Sequence, residues 1–231
     1  MKRFWKEVTT VEEPRGHGLR LDGKPVRTPA REPLFVPSER LCEAIAREWR
    51  AVGAEFNPRD MPLTGLANGA VDRIAPDPTT FAAGLAKYAE GDLLFYRAEG
   101  PAPLVSRQAE LWDPLLGWAR RRFDVDFRTT SGLMHVPQPQ ATVDRLSHAI
   151  HALDAFALAG LAPVVTIGGS LVVGLAVYEK AFSVEQGWEA VSIDEHWQLE
   201  QWGEDAEARM ALENRRRDFL AGAQFLELLG P

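Results

Sequence analysis

Apolar positions follow two rhythms along this chain. Up to about residue 36 the apolar runs are short and separated by turn residues. "RFWKEVTTVEE" (3–13) reads as β structure, "PRGHG" as a turn, and "LRLDGKPVRT" (19–28) as two short runs around Asp22-Gly23, a strong hairpin signal. "PLFVP" (33–37) gives one more short strand. The spacing then lengthens. Ser38 is a good N-cap, and Leu41, Ile45, Trp49 and Val52 recur at helical spacing up to Gly53. Further helices are predicted from Arg59 to Ile74 and from Thr79 or Thr80 to about Tyr88.

The middle of the chain mixes both patterns. "GDLLFYR" (91–97) reads as a buried strand and "DVDFRTT" (124–130), which alternates, as another. Between them, 103–123 has a helical pattern with an internal Pro114, which predicts a kink or break near Asp113. After "HVPQPQ" (135–140) only helical patterns remain, from Ala141 to Leu229. Breaks are expected at Pro163, Gly168-Gly169, Gly187 and Gly203. The last helix, about 205–229, should carry Arg215 to Arg217 on its exposed side. The expected fold is α+β: a small antiparallel β-rich N-terminal domain with helices over 1–137, then an all-helical C-terminal domain over 138–231, divided near Pro137–Pro139.

Residues 155–178 change the picture if they are a membrane span, because they carry no charge over 24 positions. Pro163 and Gly168-Gly169-Ser170 interrupt them and no basic flank lies close by, so two short buried helices fit better. Ser170 and Gly174, four apart, would let a neighbouring backbone come close. Of the 231 residues, 45% are apolar and 26% charged, an ordinary globular balance. A net charge of −7 argues against nucleic acid and anionic membrane partners. Arg120, Arg121 and Arg122 end an apparent helix, where the dipole favours cations. The single cysteine, Cys42, falls on an amphipathic helix and reads as a small core residue in a reducing compartment. The N-terminus has neither the apolar run of a secretory signal nor the character of a transit peptide.

Chemical motifs are sparse. His148 and His151 are three apart but no third metal ligand stands at a recognisable spacing, and no phosphate-cradling glycine motif or nucleophile motif occurs. No cofactor is implied. The most unusual stretch is "DEHWQLEQWGED" (194–205), with five acids, one histidine and two tryptophans. It lies within 28 residues, 181–208, that hold eight acids and no Lys or Arg. On a helical wheel Glu195, Leu199 and Trp202 share one face, while Ile193, Trp197 and Glu200 share another, about 140° between the tryptophans. A solvated helix rarely carries bulky aromatics on both sides. The stretch is therefore a docking surface for a cationic partner, an acidic structural helix, or a carboxylate catalytic site; the residues alone leave all three open.

Ordered blocks along the chain resolve more. "RFWKEV", "LDGKPVRTP", "EAIAREW", "MPLTGLANGAVDR", "GDLLFYRAEGP", "WDPLLGWA", "GGSLVVGLAV" and "DEHWQLEQWGED" together resemble the assembly chaperones that hold the free alpha subunit of the F-type ATP synthase catalytic sector. Gly65 stands where that family usually has a basic residue, and Gly69 where it has threonine. The resemblance implies a β-rich N-terminal part, a helical C-terminal part and a non-enzymatic chaperone that uses no ATP. Its partner would be the ATP synthase alpha subunit, kept from aggregating until the beta subunit joins. The chaperone itself would be a monomer, in the bacterial cytoplasm or, as a processed eukaryotic form, the mitochondrial matrix. It also implies a client-binding role for Asp194, Glu195, Trp197, Glu200, Trp202 and Gly203, while Trp49, on the Leu41–Ile45 stripe, reads as core. The alternative is a small-molecule enzyme using Glu195 and Glu200, which requires a deep pocket shared by both. A third reading is a permanent structural subunit of a stable complex.

Overall fold

The computed structural model describes residues 2–230 apart from Phe56, Leu133 and Glu204; the side chain of Trp202 also lies outside the described residues. The fold is α+β, an N-terminal antiparallel sheet with helices followed by a helical C-terminal region. By packing it forms two compact units. The first comprises 1–78, 154–160 and 224–231; the second comprises 79–153 and 161–223. By element content, β6 (Thr130–Ser131) is the last strand and α5 (Gln140–His151) the first element after Pro137–Pro139.

In the first unit, β1 (Val8–Glu13) and β2 (Gly16–Leu21) form an antiparallel pair. β3 (Lys24–Pro25) and β4 (Phe35–Val36) pair with the other edge of β2. Asp22 and Gly23 take φ of 48° and 79°, the two positive values that a tight two-residue hairpin loop requires. The Asp22 carboxylate also accepts the N–H groups of Lys6 and Glu7 at 3.0 and 2.8 Å, which lowers its pKa. Helix α1 (Glu39–Ala51) starts at Ser38, whose hydroxyl accepts the Leu41 N–H. Its buried side includes Leu41, Cys42, Ile45 and Ala46. The Cys42 thiol donates to the Gly18 carbonyl at 3.5 Å, and burial pushes its pKa up to about 11. Trp49 is half-buried and meets Trp5 edge-on at 5.0 Å. Helix α2 (Pro62–Gly69) has no N-cap side chain of its own. Glu48 of α1 caps it instead, accepting from the Leu63 and Thr64 amides, both at 2.8 Å, and from the Thr64 hydroxyl.

The second unit begins with α3 (Pro78–Ala86) and centres on helices. Here several sequence expectations are corrected. "GDLLFYR" is not one strand: Asp92 caps a 3-10 turn over Leu93–Phe95, and only β5 (Tyr96–Arg97) pairs, parallel to β6. A buried apolar run is ambiguous between strand and turn, and the Asp92 cap decides it. Asp124 is the left-handed cap of the preceding helix and residues 125–129 form no strand; at Arg128 the Gln138 side-chain amide takes the place of a ladder partner. It accepts the Arg128 N–H at 2.9 Å and donates to the Arg128 carbonyl at 2.8 Å. Helix α4 (Ala102–Phe123) runs unbroken through Pro114, and α6 (Ala155–Gly168) through Pro163. An internal proline costs about 3 kcal/mol. The buried stripe of Trp112, Leu115, Leu116 and Ala119 offsets it in α4, and Leu161, Val164 and Val165 do so in α6. Gly187 lies inside α8 (Val184–Val191) and ends nothing. Gly168-Gly169 does end α6, and α7 (Leu171–Tyr178) follows with Ser170 as its N-cap. A Cβ on Gly174 would stand 2.5 Å from Val165 Cγ2, so α6 and α7 pack at a distance only glycine permits. Among the described residues no helix is long and apolar enough to cross a membrane.

Asp92 is fully buried at the start of α7. Its two oxygens accept the Leu94 N–H at 3.0 Å and the Val172 N–H at 2.9 Å, with further help from Ser170 and the Leu171 amide. Burial outweighs these bonds and raises its pKa to about 6. Asp92→Ala removes the acceptor of the Leu94, Leu171 and Val172 N–H groups and should cost about 3 kcal/mol at pH 7. Between pH 6 and pH 4 the folded parent binds a proton that the unfolded chain does not. Its stability advantage over the variant therefore grows as pH falls, by up to about 3 kcal/mol. Urea midpoints of both proteins at pH 7, 6, 5 and 4 check this; an advantage that shrinks across the window refutes it.

Candidate functional site

The acidic stretch forms α9 (Ile193–Trp202), placed by its neighbours in sequence and in space. Helix α8 opens with a capping box, Ser183 and Gln186 bonding reciprocally, and ends where the Ser192 hydroxyl donates to the Trp188 carbonyl at 2.6 Å. α9 follows without a linker. Gly203, at φ 83°, stops it and donates its N–H to the Leu199 carbonyl. Asp205 then accepts the Glu207 N–H at 3.0 Å and opens α10 (Ala206–Leu229).

The six candidate residues do not form one surface. Asp194 turns toward α4, where the Gln108 amide donates to it at 2.7 Å. Gln108 is itself buried, and its oxygen accepts the Ala98 N–H at 2.8 Å, so one side chain ties the loop after β5 to α9. Burial raises the Asp194 pKa, Gln108 opposes that, and the adjacent Glu195 charge adds to it. Trp197 is half-buried beneath the Arg107 guanidinium, 5.1 Å from its ring centre, and the same arginine donates to Glu200 at 2.7 Å. Glu195 is ion-paired with Arg215, which also donates to the Ile167 carbonyl at 3.0 Å. Arg215 is therefore not on the exposed side of α10 as expected; it is half-buried and engaged twice. For Trp202 the side chain lies outside the described residues, although its backbone closes α9.

Glu195 and Gly203 border an open cleft of about 600 Å³ between α9 and α10, with Leu199, Ala208, Ala211 and Leu212 along it. Glu200 lines a different, smaller one of about 390 Å³ with His196, Trp188 and Arg216. Among the described residues the two carboxylates line these different clefts, and each is held by its own arginine. A general acid and base must address one substrate bond from a common cleft; Glu195 and Glu200 border separate ones.

Sequence reasoning missed Arg107, Gln108 and Arg215, whose partners lie 93, 86 and 20 residues away. No local pattern marks them. It also passed over Ala208, Ala211 and Leu212, although their spacing of three and one is an apolar helix face.

Comparison with known proteins places this arrangement. The family model "ATP12 chaperone protein" matches residues 2–120. The crystal structure of Atp12 from Paracoccus denitrificans is 39% identical in sequence, covers 99% of this chain and 98% of its own, and superposes with a TM-score of 0.94. An aspartate-to-lysine variant of the same Paracoccus protein matches equally well, with TM-score 0.94 at 39% identity over 99% and 98% of the two chains. The mitochondrial protein atp12 of Schizosaccharomyces pombe is 24% identical over 219 residues, 89% of this chain and 75% of that protein. The chain belongs to the ATP12 chaperone protein family. Membership makes it a chaperone of ATP synthase assembly.

The Glu195–Arg215 pair is partly exposed, so its net worth is small, on the order of 1 kcal/mol or less. Glu195→Lys should lower stability by about 1 kcal/mol through repulsion of Arg215, and the charge swap Glu195→Arg with Arg215→Glu should recover most of it. Thermal melts of the single and double variants decide; a swap no better than the single variant would show that the pair is not what holds α9 here.

Proposed function

We propose that this chain holds the free alpha subunit of the ATP synthase catalytic sector, as a monomer and without catalytic turnover, until the beta subunit takes its place. Asp194, Glu195, Trp197, Glu200, Trp202 and Gly203 form or shape the docking element. The observation that carries the reading is α9 itself: a helix whose acids lie half-open to solvent in a family of assembly chaperones. Within the element the roles differ. Asp194 and Gly203 fix where α9 runs, through Gln108 and through the helix stop. Glu195 and Glu200 supply the acidic field toward a cationic client surface, which raises encounter rate and orients approach. Trp197, flattened under Arg107, gives a rigid apolar edge beside that field.

Holding requires no stored energy. Binding the free subunit lowers the concentration of its aggregation-prone form in proportion to affinity and chaperone concentration. Release follows when beta covers the same patch better. The compartment that goes with this reading is the one where the catalytic sector is built, the bacterial cytoplasm or the mitochondrial matrix.

Size-exclusion with light scattering on isolated alpha subunit tests it, with and without this chain and with beta added last. The expected result is a defined one-to-one complex that keeps alpha soluble and from which beta displaces this chain. Equal aggregation of alpha with and without the chain at micromolar concentration would refute the reading. A complex that survives beta would favour a permanent subunit instead.

A further inference from the structure

The first two turns of α10 are uncovered. Every residue from Ala206 to Ala211 is exposed, and four of these six are apolar: Ala206, Ala208, Met210 and Ala211. Met210 is 63% exposed. Ala208 and Ala211 face the cleft of about 600 Å³ whose opposite wall is Leu199 and Gln198 of α9, and Leu212 closes its floor. A helix of this length ordinarily buries its apolar side along its whole run. Here burial starts only at Leu212 and continues at Phe219.

The rim is acidic. Glu195 and Asp205 line the cleft and Glu207 is exposed beside it. The cation on the lining, Arg215, has its donors engaged by Glu195 and by the Ile167 carbonyl. Arg209, one residue beyond the edge, lies 3.9 Å from Glu213. Glu195, Asp205, Glu207 and Glu213 against Arg209 and Arg215 leave the cleft and its edge net negative.

These features select one kind of occupant. Both walls are helices, whose backbone groups bond internally, so no sheet edge is offered to an added strand. A small-molecule site needs polar groups converging on a ligand, whereas Glu195 and Arg215 converge on each other. An open apolar trough between two helices, walled by alanine methyl groups and two leucines, is the shape that takes the apolar face of a third helix. Its acidic rim asks for Lys or Arg along that helix's flanks.

We propose that the α9–α10 cleft seats a cationic amphipathic helix of the client, its apolar stripe on Leu199, Ala208, Ala211 and Leu212 and its basic flank along Glu195, Asp205 and Glu207. This rests on the client-holding reading above and adds the segment of the client that is held.

The probe is a fluorescent, helix-forming Leu/Lys peptide of about 14 residues, long enough to be helical when bound, against a Leu/Glu peptide with the same apolar stripe. Both are titrated into the full chain by anisotropy, and isolated alpha subunit is tested in parallel by light scattering. Ala208→Arg fills the cleft and reverses its charge on an exposed helix position that tolerates arginine. Glu189→Arg makes a larger charge change on exposed α8, away from the cleft. Expected are Leu/Lys binding at least roughly tenfold tighter than Leu/Glu, a loss of roughly tenfold or more in Ala208→Arg, and a change within about twofold in Glu189→Arg, since anchors at the centre of a docking site dominate affinity. Circular dichroism confirms that both variants fold. Equal binding of the two peptides, or full binding by folded Ala208→Arg, overturns the proposal. So does a parent dimer that Ala208→Arg splits, because the cleft would then be occupied by a second copy. If Ala208→Arg still holds alpha as well as the parent, the helix seat is wrong while client holding stands. If the parent fails to hold alpha, the functional reading itself falls.

Discussion

A carboxylate without a cation organises the second unit. Asp92 is fully buried, and its partners are peptide N–H groups at the start of α7 together with the Ser170 hydroxyl. The arrangement works because a helix N-terminus presents unsatisfied donors and positive potential at one point. It joins the turn at Leu93–Phe95 to the uncharged α6–α7 pair, beside the bond from the Leu93 N–H to the Gly169 carbonyl. Trp112 of α4 donates to the Ala190 carbonyl at the end of α8, and Gln108, one turn earlier, reaches α9. Helix α9 is thus tied to α4 by a polar bond, as α8 is, with hydrophobic burial supplying the bulk of the stability around them.

Several aromatic rings carry a guanidinium over or beside them. Trp197 lies under Arg107, Trp112 under Arg97 at 5.1 Å, and Phe127 near Arg120 at 5.7 Å. A guanidinium over a ring leaves the edge available for contact but keeps the face from stacking on a neighbour. Trp112 and Phe127 are buried, so there the arginine is part of the packing; of these three only Trp197 is half-buried, with its arginine at the surface.

What the sequence made legible is what is decided within a few residues. Asp22-Gly23, Ser38, the end of α6 at Gly168-Gly169 and the stop at Gly203 are local backbone choices, and each element boundary there follows from them. Pro114 and Pro163 misled because a buried stripe overrides an intrinsic helix penalty only when the partner surface is known. Gln138 standing in for a ladder partner at Arg128, Gln108 bridging to Asp194, and Arg215 folded back onto Glu195 depend on residues that meet only in the folded chain. The acidic character of α9 was visible, and so was its termination. Which of its faces looks outward was not, because Arg107 and Arg215 each claim one carboxylate.

The composition of the α10 leading turns has a kinetic meaning. Ala206, Ala208 and Ala211 have no side-chain rotamers to freeze, and Gly203 beside them has no side chain at all. Covering such a surface forfeits almost no conformational entropy, so a partner can settle on it quickly. It also yields little dispersion energy, because methyl groups present few atoms to a neighbour. A small barrier to settling and a shallow well after it give whatever covers these turns a short residence time.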